Sequence, residues 1–288
     1  MKTLILNHYA PLFFLATALL ASCEVDDDTP SAPTGEELVD VGGYQLYVRS
    51  SGSGSPAIVL ITGLAGTTDD WKVMEEDFAE VATVINYDRE GLGRSDWNNR
   101  PKDSETIAEE LHALLKKKNI EPPYLLAAHS LGGIHARVFT SLYPDEVAGL
   151  LLVDPTPENL IDSLLAPYPP DVQEAIREGA RQEQEEALMQ LPEGGLKEEV
   201  KAIETWYGQA RALTFTTSAP VAVISSMKAA TAEEQASVTV ARTLRDELLE
   251  QMCSGPRKHY TTQAGHFVQK EQPALVMEAV SWVLANAQ

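Results

Sequence analysis

Short apolar runs, separated by helix-compatible segments, dominate the chain from about residue 38 onward. Ala57 to Ile61, Ala82 to Tyr87, Tyr124 to Ala128 and Leu150 to Val153 are mainly apolar and do not alternate strictly. Runs of this length mark strands buried on both faces, as in a parallel sheet. Ahead of them, Gly42-Gly43 separates residues 38–41 from residues 44–48, which predicts a hairpin. A helical pattern from Ser104 through Ile107, Leu111, Leu114 and Leu115 opens on a capping residue. It closes on Lys116-Lys117-Lys118, favourable at the negative end of a helix. Pro220 to Ile224 predicts another strand, followed by a helical stretch to about Met252. A last strand lies near His259 to Thr261, and a helix from about Pro273 to Ala285 closes the chain. Repeated strand-then-helix order predicts an α/β fold, a mostly parallel sheet with helices on both faces.

Residues 155–218 interrupt that alternation with a helix-favouring stretch carrying 12 acidic against 5 basic residues. An insertion between core strands of such a sheet is expected to cover the ligand crevice as a lid, because crevices form at strand C-termini.

The first residues follow a different pattern. Lys2 precedes an apolar core, residues 11–20, too short for a permanent membrane span. Leu20-Ala21-Ser22-Cys23 then resembles the lipobox of bacterial lipoproteins, which implies an acylated Cys23 as the mature N-terminus. Residues 1–22 are thus expected to be a signal peptide. Residues 23–37, with Asp26-Asp27-Asp28 and several Pro, Ser and Thr, are expected to be an acidic tether. An acidic run directly after the cysteine resembles the surface-export signals of some bacterial lipoproteins. The folded domain then covers 38–288 and is expected to be anchored to a membrane through Cys23, on the periplasmic side or at the cell surface. With Cys23 lipidated, Cys253 stands alone and no disulfide is available.

Charge removes one class of function. The net charge is −21, from 22 basic and 43 acidic residues. Nothing supplies the basic stripe that nucleic acid requires. The acidity serves solubility, or repels anionic substrates from a site.

The candidate chemistry centres on Ala128-His129-Ser130-Leu131-Gly132-Gly133, which follows an apolar strand and precedes a helical segment. A nucleophile elbow needs small residues around a tight turn that presents its hydroxyl above the sheet. Ser130 is the candidate nucleophile, and the Leu131 N–H the candidate oxyanion donor. The hydroxyl needs a base. His266, in the loop after the last strand, suits that role. His8, His112, His129, His135 and His259 read as structural or surface residues, with His129 expected to point away from the site. The Gly-rich turn Thr62-Gly63-Leu64-Ala65-Gly66 offers Leu64 N–H as a second oxyanion donor. For the acid that orients the base, Asp154 directly follows an apolar strand and precedes Pro155. Glu233 and Glu234 lie nine and ten residues beyond the next strand, and Glu158 is the remote third option.

These motifs resemble the α/β-hydrolase superfamily from about residue 40 to the end. Tyr87-Asp88-Arg89-Glu90-Gly91-Leu92-Gly93-Arg94-Ser95 is similar to its turn after an early strand. Residues 143–147 are similar to its exit from the nucleophile helix, and Gly265-His266-Phe267 with Gln272-Pro273 to its histidine loop. Two departures stand out: Ala128 replaces the first elbow glycine, and residues 224–228 lack the acid many members carry. Some members place the acid one strand earlier, which fits Asp154. The resemblance implies hydrolysis through an acyl-enzyme, with no cofactor and no metal. A carboxylic ester of a small molecule is the expected substrate. An amide or peptide, other cofactor-free serine chemistry, and an inactive surface-binding module are the alternatives.

Overall fold

The apolar runs lie side by side at the centre of an eight-stranded sheet. The computed structural model describes residues 35–287. Its strands are β1 (Gly35–Asp40), β2 (Gln45–Ser51), β3 (Ala57–Ile61), β4 (Val84–Tyr87), β5 (Tyr124–His129), β6 (Val147–Val153), β7 (Val221–Ser226) and β8 (Arg257–Thr262). They run in the order β1-β2-β4-β3-β5-β6-β7-β8. The β1–β2 and β2–β4 pairs are antiparallel and the others are parallel. Every residue of β3 to β7 is buried, which explains why those runs carry no polar alternation. This α/β-hydrolase fold has helices on both faces of its mostly parallel sheet.

The helices are α1 (Lys72–Ala79), α2 (Ser104–Lys117), α3 (Gly132–Leu142), α4 (Leu160–Leu165), α5 (Pro170–Gln190), α6 (Gly195–Ala212), α7 (Ala232–Met252), α8 (Val268–Glu271) and α9 (Pro273–Asn286). Ile58 and Leu60 of β3 point to one face, where they join Trp71, Met74 and Phe78 around α1 and Val276, Val280 and Val283 of α9. Val59 and Ile61 point to the other, among Ile107, Leu111 and Leu114 of α2 and Ile134, Val138 and Phe139 of α3. Each such side chain contributes about 1.5–3 kcal/mol when fully buried.

Local details differ from expectation at three places. Gly35, Glu36 and Glu37, assigned to the tether by composition, are strand: β1 pairs them with Ser50, Arg49 and Val48. Backbone pairing asks nothing apolar of an exposed edge strand, so acidity did not reveal it. The cap of α2 is Asp103, whose carboxylate accepts the Thr106 N–H at 3.0 Å, one residue before Ser104. Strand β6 begins at Val147, three residues ahead of the run that announced it. The signal segment, Cys23 and the rest of the tether lie outside the described residues. Cys253 is a buried free cysteine.

Residues 155–218 contain α4, α5 and α6. Helix α5 buries none of its residues, and its acids face solvent, with Glu174 and Glu178 paired to Arg181. Exposed pairs of that kind are screened by solvent and add little to stability. Helix α6 is different: it buries Glu199, Trp206 and Ala210 against the domain.

Candidate active site

β5 ends at His129, the chain turns at Ser130, and α3 begins at Gly132. Ser130 has φ of 55°, a left-handed conformation costing of the order of 1–3 kcal/mol in a non-glycine residue. Packing holds it there. The Ser130 N–H donates to the Val153 carbonyl at 3.0 Å, and the Gly133 N–H to the Ser130 carbonyl at 3.1 Å. A Cβ on Gly132 would stand 2.5 Å from the Thr62 carbonyl oxygen, so this glycine permits the β3 turn to press against the elbow.

Three side chains meet above the C-terminal ends of the strands. His266 Nε2 lies 3.0 Å from Ser130 Oγ, and His266 Nδ1 lies 2.7 Å from Asp154 Oδ2. Asp154 stands at the end of β6, itself at φ 44°, with its N–H donating to the Ile224 carbonyl at 2.7 Å. Its other oxygen, Oδ1, accepts the Ser226 N–H at 2.9 Å and the Arg245 Nη1 at 2.7 Å. Burial alone would raise this carboxyl. Arg245, His266 and the Ser226 N–H outweigh burial and hold it below the ordinary carboxylate value. An ionised Asp154 accepts from the His266 Nδ1–H, which leaves the Nε2 lone pair facing the Ser130 hydroxyl proton. The arrangement can draw a proton off Ser130 and stabilise the resulting imidazolium.

The other candidate acids sit elsewhere. Glu233 and Glu234 occupy the exposed first turn of α7, and Glu158 is bound to Arg137 at 2.8 Å.

Leu64 and Leu131 flank Ser130 from two loops. A Cβ on Gly63 would lie 2.9 Å from Ser130 Cβ, so the 62–66 turn touches Ser130. The Ala65 N–H is taken by Glu199 at 2.9 Å and the Gly66 N–H by the Gly63 carbonyl at 3.2 Å. Among the described residues, the N–H groups of Leu64 and Leu131 donate to no protein acceptor. A small pocket opens here, lined by Gly63, Leu64, Asp70, His129, Ser130, His266 and Phe267. Asp70 is tied across the pocket edge to Lys270 at 2.7 Å. Among the described residues, no three His, Cys, Asp or Glu side chains gather as a metal-binding group.

His129 corrects an expectation. Its ring does not turn away; it packs under the histidine loop, 4.6 Å from the His266 ring, and donates from Nε2 to the His266 carbonyl at 2.9 Å. Burial, reinforced by His266, pushes its pKa down to about 3, so it is a neutral strut. His135 is buried against Ser104 Oγ, His112 stacks on Tyr143, and His259 bridges Ser225 and Asp246.

Two neighbours of the site escaped the sequence reading. Thr156 Oγ1 lies 3.3 Å from Ser130 Oγ. Arg245 on α7 grips Asp154 from behind. Its signal was available: Arg245 shares the buried stripe of Ala241 and Leu249, where a charge requires a buried partner.

The comparisons agree with this architecture. A sequence model described as alpha/beta hydrolase fold matches residues 56–238. YbdG of Bacillus subtilis (strain 168) is 30% identical over 119 residues, covering 41% of this chain and 37% of that protein. An AB hydrolase superfamily protein of Gibberella zeae is 31% identical over 144 residues, covering 45% of each. The chain thus spans less than half the length of these curated relatives. Among solved structures, a thermophilic esterase from Thermogutta terrifontis superposes with a TM-score of 0.57 at 20% identity, covering 89% of this chain and all of that one. The matched region runs from β3 through the turn at Ser130 and the insertion into α7, and by that match the chain belongs to the α/β-hydrolase fold family.

Proposed function

We propose that the protein is a serine hydrolase that cleaves carboxylic esters through an acyl-enzyme, with Ser130 as nucleophile, His266 as base and Asp154 as the orienting acid. One observation carries the reading: the hydrogen-bonded line from Asp154 Oδ2 through the His266 ring to Ser130 Oγ, at 2.7 and 3.0 Å. In this mechanism His266 Nε2 removes the Ser130 proton as Oγ attacks the ester carbonyl. The carbonyl oxygen becomes an oxyanion facing the N–H groups of Leu131 and Leu64, whose freedom from other acceptors supports the assignment. His266 then returns the proton to the leaving alcohol, and water repeats the sequence to release the acid. The residues 155–218 serve as the lid of this site. In the same reading Cys23 is lipidated and holds the domain at a membrane.

A fluorophosphonate probe tests the proposal, because it reacts with an activated serine whatever the natural substrate. Wild type should be labelled at Ser130 and should turn over short p-nitrophenyl esters faster than aminoacyl amides. An unlabelled protein, or one labelled equally in Ser130→Ala, defeats the assignment.

A further inference from the structure

Arg89, in the turn after β4, and Glu199, on α6 of the insertion, form an ion pair with side chains 2% and 0% exposed. Nothing in the proton transfer uses it. Arg89 Nε donates to Glu199 Oε1 at 2.7 Å and Nη2 to Glu199 Oε2 at 3.0 Å, a two-pronged contact of fixed geometry. The remaining donors all go to one short loop. Nη1 donates to the carbonyl and hydroxyl oxygens of Thr62, each at 2.8 Å, and Nη2 to the Gly63 carbonyl at 2.6 Å. Glu199 Oε2 in turn accepts the Ala65 N–H at 2.9 Å.

The Gly63 carbonyl belongs to the same peptide unit as the Leu64 N–H. That unit is planar and trans, so its C=O and N–H point in opposite directions. Fixing the oxygen fixes the direction of the hydrogen. A cation on the carbonyl also polarises the amide and strengthens its donor end. Glu199 adds a second constraint by occupying the neighbouring Ala65 N–H, which leaves the Leu64 N–H unengaged beside Ser130.

We propose that Arg89 and Glu199 are positioning residues for the Leu64 oxyanion donor, and that the insertion thereby contributes to the chemistry through Glu199. This rests on the serine-hydrolase reading above. Displacing α6 withdraws Glu199, frees the 62–66 turn and weakens the donor.

The experiment compares the full-length wild type with Glu199→Gln and with Arg89→Met/Glu199→Leu. The readouts are kcat and KM on a p-nitrophenyl ester, and Ki for an alkyl boronic acid whose serine adduct mimics the tetrahedral oxyanion. Wild-type fluorophosphonate labelling is scored first; its failure removes the hydrolase reading before any variant is measured. With labelling established, the double variant should lose on the order of 10²–10³ in kcat, as for removal of one oxyanion donor, while KM stays within about twofold. Its boronate Ki should rise in parallel. Glu199→Gln, which keeps the side-chain shape but not the charge, should lose about 10-fold in both kcat and boronate affinity. It carries the test by the same readouts if the double variant does not fold. A folded variant with kcat and boronate Ki near wild type overturns the inference. So does a loss carried by KM with an unchanged boronate Ki, because a merely structural tie has no reason to discriminate the tetrahedral state.

Discussion

Arg245 holds Asp154 from the side opposite His266: Nη1 lies 2.7 Å from Oδ1, while the imidazole contacts Oδ2. Its Nε also donates to the Pro155 carbonyl at 2.7 Å. The guanidinium therefore fixes both the carboxylate plane and the chain that leaves it. Arg245→Met should destabilise the fold by roughly 3–5 kcal/mol, the cost of stranding one partner of a buried pair. Urea unfolding followed by circular dichroism measures this. A loss below about 1 kcal/mol would mean the pair is solvated.

Ser130→Ala should lose on the order of 10⁶ in kcat while unfolding like the wild type. Asp154→Asn should lose about 10⁴, by favouring the wrong imidazole tautomer. Ester turnover by purified variants checks both. Retained activity in Asp154→Asn would leave the orienting role to another acid.

Stability should fall with acidification, and His129 is one cause. Folded, it stays neutral until about pH 3, whereas the unfolded chain protonates it below its ordinary 6.5. Between those values the unfolded state binds more protons, so stability drops as pH falls. The slope is at most about 1.4 kcal/mol per pH unit for one such group. Buried His135, also held well below its ordinary value, acts in the same direction. His129→Gln should flatten the dependence of the urea midpoint between pH 6 and 4, and an unaltered slope would show that the ring protonates in place.

Cys23→Ser should release the protein from membrane fractions while leaving the specific activity of the domain unaltered. Under the lipidation proposed above, the acyl chains that hold the domain at a membrane are lost with Cys23. A variant that still pellets after a high-salt wash is held by something else.

Much of this site could be read along the chain because its chemistry is local. The elbow around Ser130 and the strand-terminal Asp154-Pro155 announce themselves within a few residues, as does the loop around His266. The partners that hold them do not. Arg89 and Glu199 are 110 residues apart, and Arg245 lies far beyond Asp154, so no spacing rule links them. What each pair does leave is a charge on a buried helical stripe: Glu199 in line with Gly195 and Trp206, Arg245 with Ala241 and Leu249. His129 was misjudged for a related reason. Its position beside Ser130 was plain, but its contact is with a loop 137 residues away.

Placing the acid at the end of β6 also bears on how this scaffold can be re-engineered. The insertion begins one residue after Asp154, and its first residues are already committed: the Pro155 carbonyl to Arg245, the Thr156 N–H to the Ser130 carbonyl at 3.3 Å. The trailing seam is committed as well: the Thr217 N–H donates to the Met252 carbonyl at 2.8 Å, and the Thr217 carbonyl accepts the Ser254 N–H at 2.9 Å. At the leading seam Asp154-Pro155-Thr156 has to be carried over intact, so grafts that diversify substrate choice should splice after Thr156 and before Thr217, and keep a carboxylate at the place of Glu199.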